Sequence, residues 1–266
     1  MVKGEGPLKG LVIKAACVET GVEPVSARVI GRADGKPVIF ENSYGKGKAI
    51  CFAASVAGTF GDWNEMRYSR NNSPATRALN GYVGNFFRKC GITPFALAPT
   101  LRATSLLMRE SGSAVILGTL RDLAQTALLD RKTAKHQIHL AEKRHVYDML
   151  YHRYLGYGKS FTYEYGPATQ AVFALLPYKG KGIDVKFVSG GAELKLLADT
   201  TQFADHTFHV ELLDGNGKTV PVFNDVVLGK GNKGFYKFRK PLNAKGKWKL
   251  QVREILTGLT KTVALP

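Results

Sequence analysis

Cysteine is scarce in this chain. Cys17, Cys51 and Cys90 are its three cysteines, and they stand too far apart for metal or redox spacing. The odd number leaves at least one thiol unpaired within the chain, and all three are expected to be small, mostly buried apolar side chains. Long apolar runs are missing: nothing approaches the ~20 residues of a membrane-spanning helix, so no membrane association is expected. The opening MVKGEGPLKGLVIKAACV has one short apolar stretch and no cleavage-site pattern behind it, so no signal peptide is expected. Acidic residues are in short supply, with 21 Asp and Glu against 38 Lys and Arg, for a net charge of +17. That excess is spread along the chain, whereas a nucleic-acid module concentrates charge on one face or arm. Nucleic acid is therefore not the expected partner.

What is present suits folded, β-rich modules. Apolar residues make up 44% of the 266, with 14 Phe and 11 Tyr, enough to bury a core in each of two or three units. The stretch over 35–56, GKPVIFENSYGKGKAICFAASV, reads as two antiparallel strands joined by a Gly-Lys-Gly turn. Strands are expected before it over 8–18 and 25–31. In the strand over 47–55, both faces are apolar, as for a strand covered on both sides of an α/β sheet. A polar loop over 57–72 follows. Ser73 and Pro74 then signal a helix start, and apolar residues at helical spacing carry it to Gly91. One helix covers one sheet face, so residues 1–99 are expected to be an incomplete α/β domain, with an exposed sheet face prone to association.

Residues 100–178 contain only short strands, expected at 103–109, 113–120, 135–141, 144–149, 159–165 and 170–177, the spacing of a small β-sandwich. The KGKG at 179–182 reads as a linker. Seven further strands are expected over 183–188, 193–198, 206–213, 219–223, 234–239, 247–253 and 259–264, which suggests an immunoglobulin-like sandwich over 179–266. The expected fold class is mainly β with an α/β N-terminal part.

Candidate chemistry is thin. Tyr44-Gly45-Lys46-Gly47-Lys48 lacks the Ser or Thr and the following helix that a phosphate loop needs, and reads as a hairpin. His136 and His139, and likewise His206 and His209, are three apart in strand-like segments, which puts the members of each pair on opposite faces. No metal and no cofactor is expected. Asp122, Asp130 and Asp148 stand at strand ends, where turn-forming Asp is ordinary. Ser111-Gly112-Ser113 lacks the strand-to-helix setting of a nucleophile elbow. No residue is assigned a catalytic role.

Two contact surfaces are candidates. Trp63, Arg67, Tyr68 and Arg70 in the 57–72 loop suit stacking on a sugar ring or a base, or anchoring a subunit, or a Trp folded back on the helix. Lys245, Lys247 and Lys249, set beside Lys237 and Arg239 on the preceding strand, would make a basic strip with Trp248 turned into the core. A solvated sheet face is the plainer reading of that strip. Phosphate backbones or acidic glycans are the alternative ligands.

Several stretches, taken in order, resemble a known family. PVIFENSYGKGKAICFAASVAGTF and a helix ending FFRKCGITP look like the end of the β-galactosidase trimerisation domain, which is glutamine-amidotransferase-like and flavodoxin-like in fold. GSAVILGTLRD, HVYDMLYHRYLG and ATQAVFALLPY look like the small β-domain that follows it. HVELLDGNGKTVPVFNDVVL and GKWKLQVREILTGL resemble an immunoglobulin-like module. The resemblance implies the C-terminal part of a β-galactosidase-like glycoside hydrolase. Such a part is non-catalytic and serves subunit association and structural support, with carbohydrate contact. Its partners would be a second copy or the N-terminal part of the parent protein, and the parent would be periplasmic or secreted. The catalytic barrel of the family has no counterpart here, so no catalytic residue carries over.

Overall fold

The computed structural model describes residues 1–10, 12–13, 15, 17–19, 21–54, 93–101, 104–121, 132–166, 169–237 and 247–266. The 57–72 loop and the 74–90 helix lie outside these residues. The described residues are mainly β, in several antiparallel sheets. They fall into two compact units, one drawn from Met1–Pro94 and the other from Phe95–Arg121 and Lys132–Pro266.

The first unit holds β1 (Val2–Gly4), β2 (Val12–Ile13), β3 (Arg28–Ala33), β4 (Lys36–Tyr44) and β5 (Gly47–Phe52), in the order β2-β1-β3-β4-β5. Every pairing is antiparallel. This corrects the expected α/β, flavodoxin-like sheet, which would be parallel. Turn chemistry explains the difference. Asp34 and Gly35 both take positive φ, 48° and 81°, in the two-residue turn between β3 and β4. Gly45 takes φ 57° as the first turn residue between β4 and β5. Two-residue turns return the chain beside itself, while a parallel neighbour needs a crossover of a dozen residues or more. The hairpin expected around residues 44–48 is formed.

The strand buried on both faces is β4, where Val38, Ile39, Phe40 and Glu41 are all buried in succession. In β5, Ile50 and Phe52 turn inward while Ala49 and Cys51 are exposed. Cys17 is exposed as well, so both described cysteines differ from the buried residues expected. Glu41 is buried beside two cations: it pairs with Arg28 across β3 and lies 3.1 Å from Lys48 Nζ on β5. The hydrogen bond from Lys48, with that from Arg28, holds its carboxyl below the usual carboxylate range against the opposing effect of burial.

The second unit begins with a six-stranded sheet: β6 (Ala96–Leu97), β7 (Thr104–Ser111), β8 (Ala114–Arg121), β9 (Ala134–Asp148), β10 (Arg153–Tyr165) and β11 (Ala171–Leu176). Its order is β10-β9-β11-β8-β7, with β6 on β9. The strands expected at 135–141 and 144–149 are one strand, β9. Strand alternation shares this sheet between two cores. Val115, Leu117, Val146, Phe173 and Leu175 join one cluster with Ile138, Phe161 and Tyr163. Ala114, Tyr147, Ala174 and Leu176 join another.

That second cluster continues through Leu194, Phe208, Val210, Tyr236, Leu250 and Val252. These belong to a two-sheet sandwich built from β12 (Gly180–Val188), β13 (Gly191–Ala198), β14 (Thr207–Leu213), β15 (Asp225–Leu228), β16 (Lys233–Lys237), β17 (Lys249–Glu254) and β18 (Thr260–Ala264). The sheets are β12-β13-β16 and β15-β14-β17-β18. The 179–182 segment expected as a linker instead opens β12, and its Gly180 N–H donates to the buried Tyr147 hydroxyl at 2.9 Å. The strand expected at 219–223 is a 3-10 turn over Pro221–Phe223, where proline has no N–H to give a ladder; the strand is β15. No helix among the described residues is long and apolar enough to cross a membrane.

Candidate functional site

The β9–β10 hairpin carries a row of rings. Tyr154 stands opposite Tyr147, and Tyr157 opposite His145, in the antiparallel register. Three residues separate Tyr154 from Tyr157, which in a regular strand would put them on opposite faces. A bulge between Tyr154 and Gly156 inserts Leu155 as an extra residue and returns Tyr157 to the face of Tyr154. Gly156 takes φ 130°, a conformation open to glycine and strained for other residues. Leu155 packs into the core on the other side.

The rings run from core to solvent. Tyr147 is buried, Tyr154 is 39% exposed and Tyr157 is 57% exposed. Ring centroids of Tyr147 and Tyr154 are 5.1 Å apart, and those of His145 and Tyr157 are 4.4 Å apart and stacked. His145 Nδ1 and the Tyr154 hydroxyl share a hydrogen bond of 2.8 Å. Lys179 Nζ lies 4.8 Å from the Tyr154 centroid, within cation–π range. Burial first, and then the Lys179 charge, push the His145 imidazole below its ordinary pKa. Burial pushes the Tyr147 phenol up to about 12 and raises that of Tyr154. Near neutral pH the row is an uncharged aromatic surface beside one ammonium.

Asp148 holds the turn at the end of this hairpin and has no exposed surface. Its Oδ1 accepts from Leu150 N and Tyr151 N, both at 3.1 Å. Its Oδ2 accepts from Arg153 Nε at 3.0 Å and from the Tyr163 hydroxyl at 2.9 Å. The Arg153 guanidinium lies 5.4 Å from the centroids of both the Tyr151 and Tyr163 rings. Tyr151 is thereby presented outward, 66% exposed. The turn-forming role expected of Asp148 is present, together with a buried bond that local sequence did not reveal.

A second histidine cluster is sealed. The Tyr178 hydroxyl lies 2.9 Å from His206 Nε2, and His206 Nδ1 lies 2.8 Å from Glu254 Oε1. Glu254 also accepts from Leu256 N at 2.9 Å, from Thr257 N at 2.8 Å and from the Thr257 hydroxyl. His206 and Glu254 are 0% exposed, so no solute reaches them in the folded chain. The chain Tyr–His–Glu has the order of a proton relay, but here it ties the segment between β11 and β12 to the start of β14 and the end of β17. His206 shares the buried face of Phe208, Val210 and Leu212.

The residues singled out from sequence are scattered. Trp63, Arg67, Tyr68, Arg70, Arg239 and Lys245 lie outside the described residues. Lys237 ends β16, which pairs with β13, while Lys249 opens β17, which pairs with β14 and β18. The expected pairing of these two strands is therefore not formed, and Lys237 does not share a strip with Lys247 and Lys249. Trp248 is partly buried against the sandwich core. The ring row was missed although HVYDMLYHRYLGYG concentrates its residues. The available signal was the density of Tyr and His in one hairpin, with Gly156 marking a bulge. Among the described residues no group of three or more His, Cys, Asp or Glu is placed to hold a metal.

No family model matches the sequence. No curated protein matches it either. Among solved structures, a catalytic mutant of a GH42 β-galactosidase from G. stearothermophilus is similar at 14% identity and a TM-score of 0.35, over 56% of this chain and 18% of that one. The isomalto-dextranase of Arthrobacter globiformis T6 complexed with panose is similar at 11% identity and a TM-score of 0.22, over 74% and 39%. The β-glucuronidase of Ruminococcus gnavus is similar at 11% identity and a TM-score of 0.16, over 59% and 36%. All three are glycoside hydrolases, and this chain spans 18 to 39% of their lengths. Values this low carry no argument about fold or activity.

Proposed function

We propose that this chain is a carbohydrate-contacting accessory portion of a β-galactosidase-like glycoside hydrolase, non-catalytic itself, in which the β-sandwich serves as an immunoglobulin-like support. In this reading its partners are the rest of such a protein or a second copy of the chain, and its first unit contributes to subunit association. The observation that carries the reading is the row of half-buried His145 with exposed Tyr154 and Tyr157 on a bulged hairpin. A pyranose presents an apolar C–H face and a polar rim. The face packs on a tyrosine ring and leaves water, while the rim finds the phenol and ammonium groups alongside. A strand pair anchored by Asp148 and by the Tyr147 hydroxyl holds the rings in place before a ligand arrives, which lowers the ordering cost of binding.

Titration of the full chain with neutral galacto-, gluco- and xylo-oligosaccharides, followed by isothermal calorimetry, tests this. Binding with a Kd of about 1 mM or tighter is expected, equivalent to ~4 kcal/mol, and Tyr157→Ala should remove most of it. No binding of any oligosaccharide, or turnover of a nitrophenyl glycoside by the purified chain, would sink the reading.

A further inference from the structure

A second feature lies on the sandwich, two residues along the chain from Lys179. A groove of about 550 Å³ runs between the start of β12, the end of β13, the turn over 199–203 and the start of β16. That volume is within the ~300–1,000 Å³ of small-ligand pockets. Lys181, Lys195 and Lys233 line it, with Asp199 as its single acid. Lys181 pairs with Asp199 at the rim. Lys195 and Lys233 stand directly opposite each other on β13 and β16. Like charges in that relation are destabilising. Neither lysine has an ion-pair partner among the described residues, although Asp184 stands opposite Lys195 on the β12 side. The walls are held firmly: Asn232 exchanges bonds with Leu196, its Nδ2 donating to the Leu196 carbonyl at 2.9 Å and its own carbonyl accepting from Leu196 N at 2.9 Å.

We propose that this groove is an oxyanion subsite that takes the carboxylate or sulfate ester of an acidic saccharide. The proposal deepens the carbohydrate reading above and rests on it. An oxyanion between Lys195 and Lys233 turns a repulsive cross-strand pair into two charge-assisted hydrogen bonds. A nucleic-acid backbone is the poorer match. It would run on along the exposed face that carries Lys195 and Lys233, where Asp184 opposite Lys195 and Glu193 two residues before it repel a phosphate series. The ring that lines the groove, Phe203, packs edge-on against Tyr178 at 5.2 Å, and the exposed Phe235 stands opposite Glu193. A single anionic group held between Lys195 and Lys233 sits on the β16 side of Lys195, whereas Asp184 stands on its β12 side. Lys179 and Lys181 flank the buried Gly180, so the ring row and the groove are joined by one short pinned segment.

The test compares three tetrasaccharides on the full chain by calorimetry: a galacturonate, a sulfated galactan and a neutral galactan. Binding of the acidic forms about tenfold tighter than the neutral one is expected at low salt, with the advantage shrinking as salt rises. Which acidic arm is tighter identifies carboxylate or sulfate as the group taken. Lys195→Ala with Lys233→Ala should remove the advantage, leave neutral binding unchanged, and keep or raise Tm because two opposed ammonium groups are gone. Tyr157→Ala should weaken all three arms alike. An acidic advantage undiminished in the double variant overturns the groove, as does duplex DNA that competes as well as the acidic tetrasaccharide. Neutral binding through Tyr157 without an acidic preference overturns the groove alone. Absence of binding in all three arms overturns the carbohydrate reading beneath it.

Discussion

His206 and His145 each share a hydrogen bond with a tyrosine hydroxyl, at 2.9 and 2.8 Å. The two clusters differ in what lies outside them. His206 has Glu254 behind it and no exposed surface, and every polar atom named in that cluster is satisfied from within the protein. His145 has Lys179 and solvent around it, and its stacked neighbour Tyr157 is more than half exposed. Similar side chains therefore serve opposite ends. A buried, fully bonded set locks the join between strands, because each bond lost leaves a group stranded without water. An exposed, neutral set costs little to hold and remains available to a ligand.

The comparison breaks first at Glu254. Glu254→Ala should lower unfolding stability by about 3–5 kcal/mol, since it strands His206 and the donors at Leu256 and Thr257 in a dry site. Urea unfolding monitored by tryptophan fluorescence measures it, and a loss below about 1 kcal/mol would show that the sealed cluster is not a lock. Next comes Asp148→Asn, expected to cost about 2 kcal/mol by weakening the bonds from Arg153, Tyr163 and the turn amides. Because Asp148 sets the hairpin end, saccharide affinity should fall with it, which separates a rigid row from a merely exposed one.

At Tyr157 the two readouts should part. Tyr157→Ala should change stability by less than about 1 kcal/mol, in keeping with its exposure, while saccharide affinity drops about tenfold. Equal and large losses in both would place Tyr157 with the structural set. The smallest effect concerns pH. His145 has its pKa lowered in the folded state, so the unfolded chain binds the proton more readily. Stability should therefore be highest above the unfolded value of ~6.5 and fall as pH drops through the folded value. His145→Gln should flatten that part of the profile. In an NMR titration, Lys179→Gln should move the His145 midpoint upward, by less than full relief because burial is the larger cause.

Much of the second unit was legible in the sequence. The strands at 104–111, 114–121, 191–198 and 207–213 follow from alternation between turn residues, and the alternation of His206, Phe208, Val210 and Leu212 marked a buried face. The hairpin at 44–48 followed from its glycines. The N-terminal sheet was misread because apolar residues on both faces of a strand signal coverage without saying by what, and the doubly buried strand is the neighbour, β4. The ring row was not legible as a site. Its residues alternate correctly only once the Leu155 bulge is known, and a one-residue shift reverses every face.

By itself the chain determined its local pieces. The Asp34-Gly35 and Gly45-Lys46 turns, the continuous apolar run of β11 and the apolar alternation of β14 all depend on neighbours a few residues apart. Tertiary structure alone decided that β16 joins β13 while β17 joins β14 and β18, which separated Lys237 from Lys249 and set Lys195 against Lys233. It also decided that His206 is closed in while His145 is half-buried against the exposed Tyr157. The physical reason is that strand pairing is a choice among distant partners. Burial of both sheet faces settles it, and that term is absent from any short stretch of sequence.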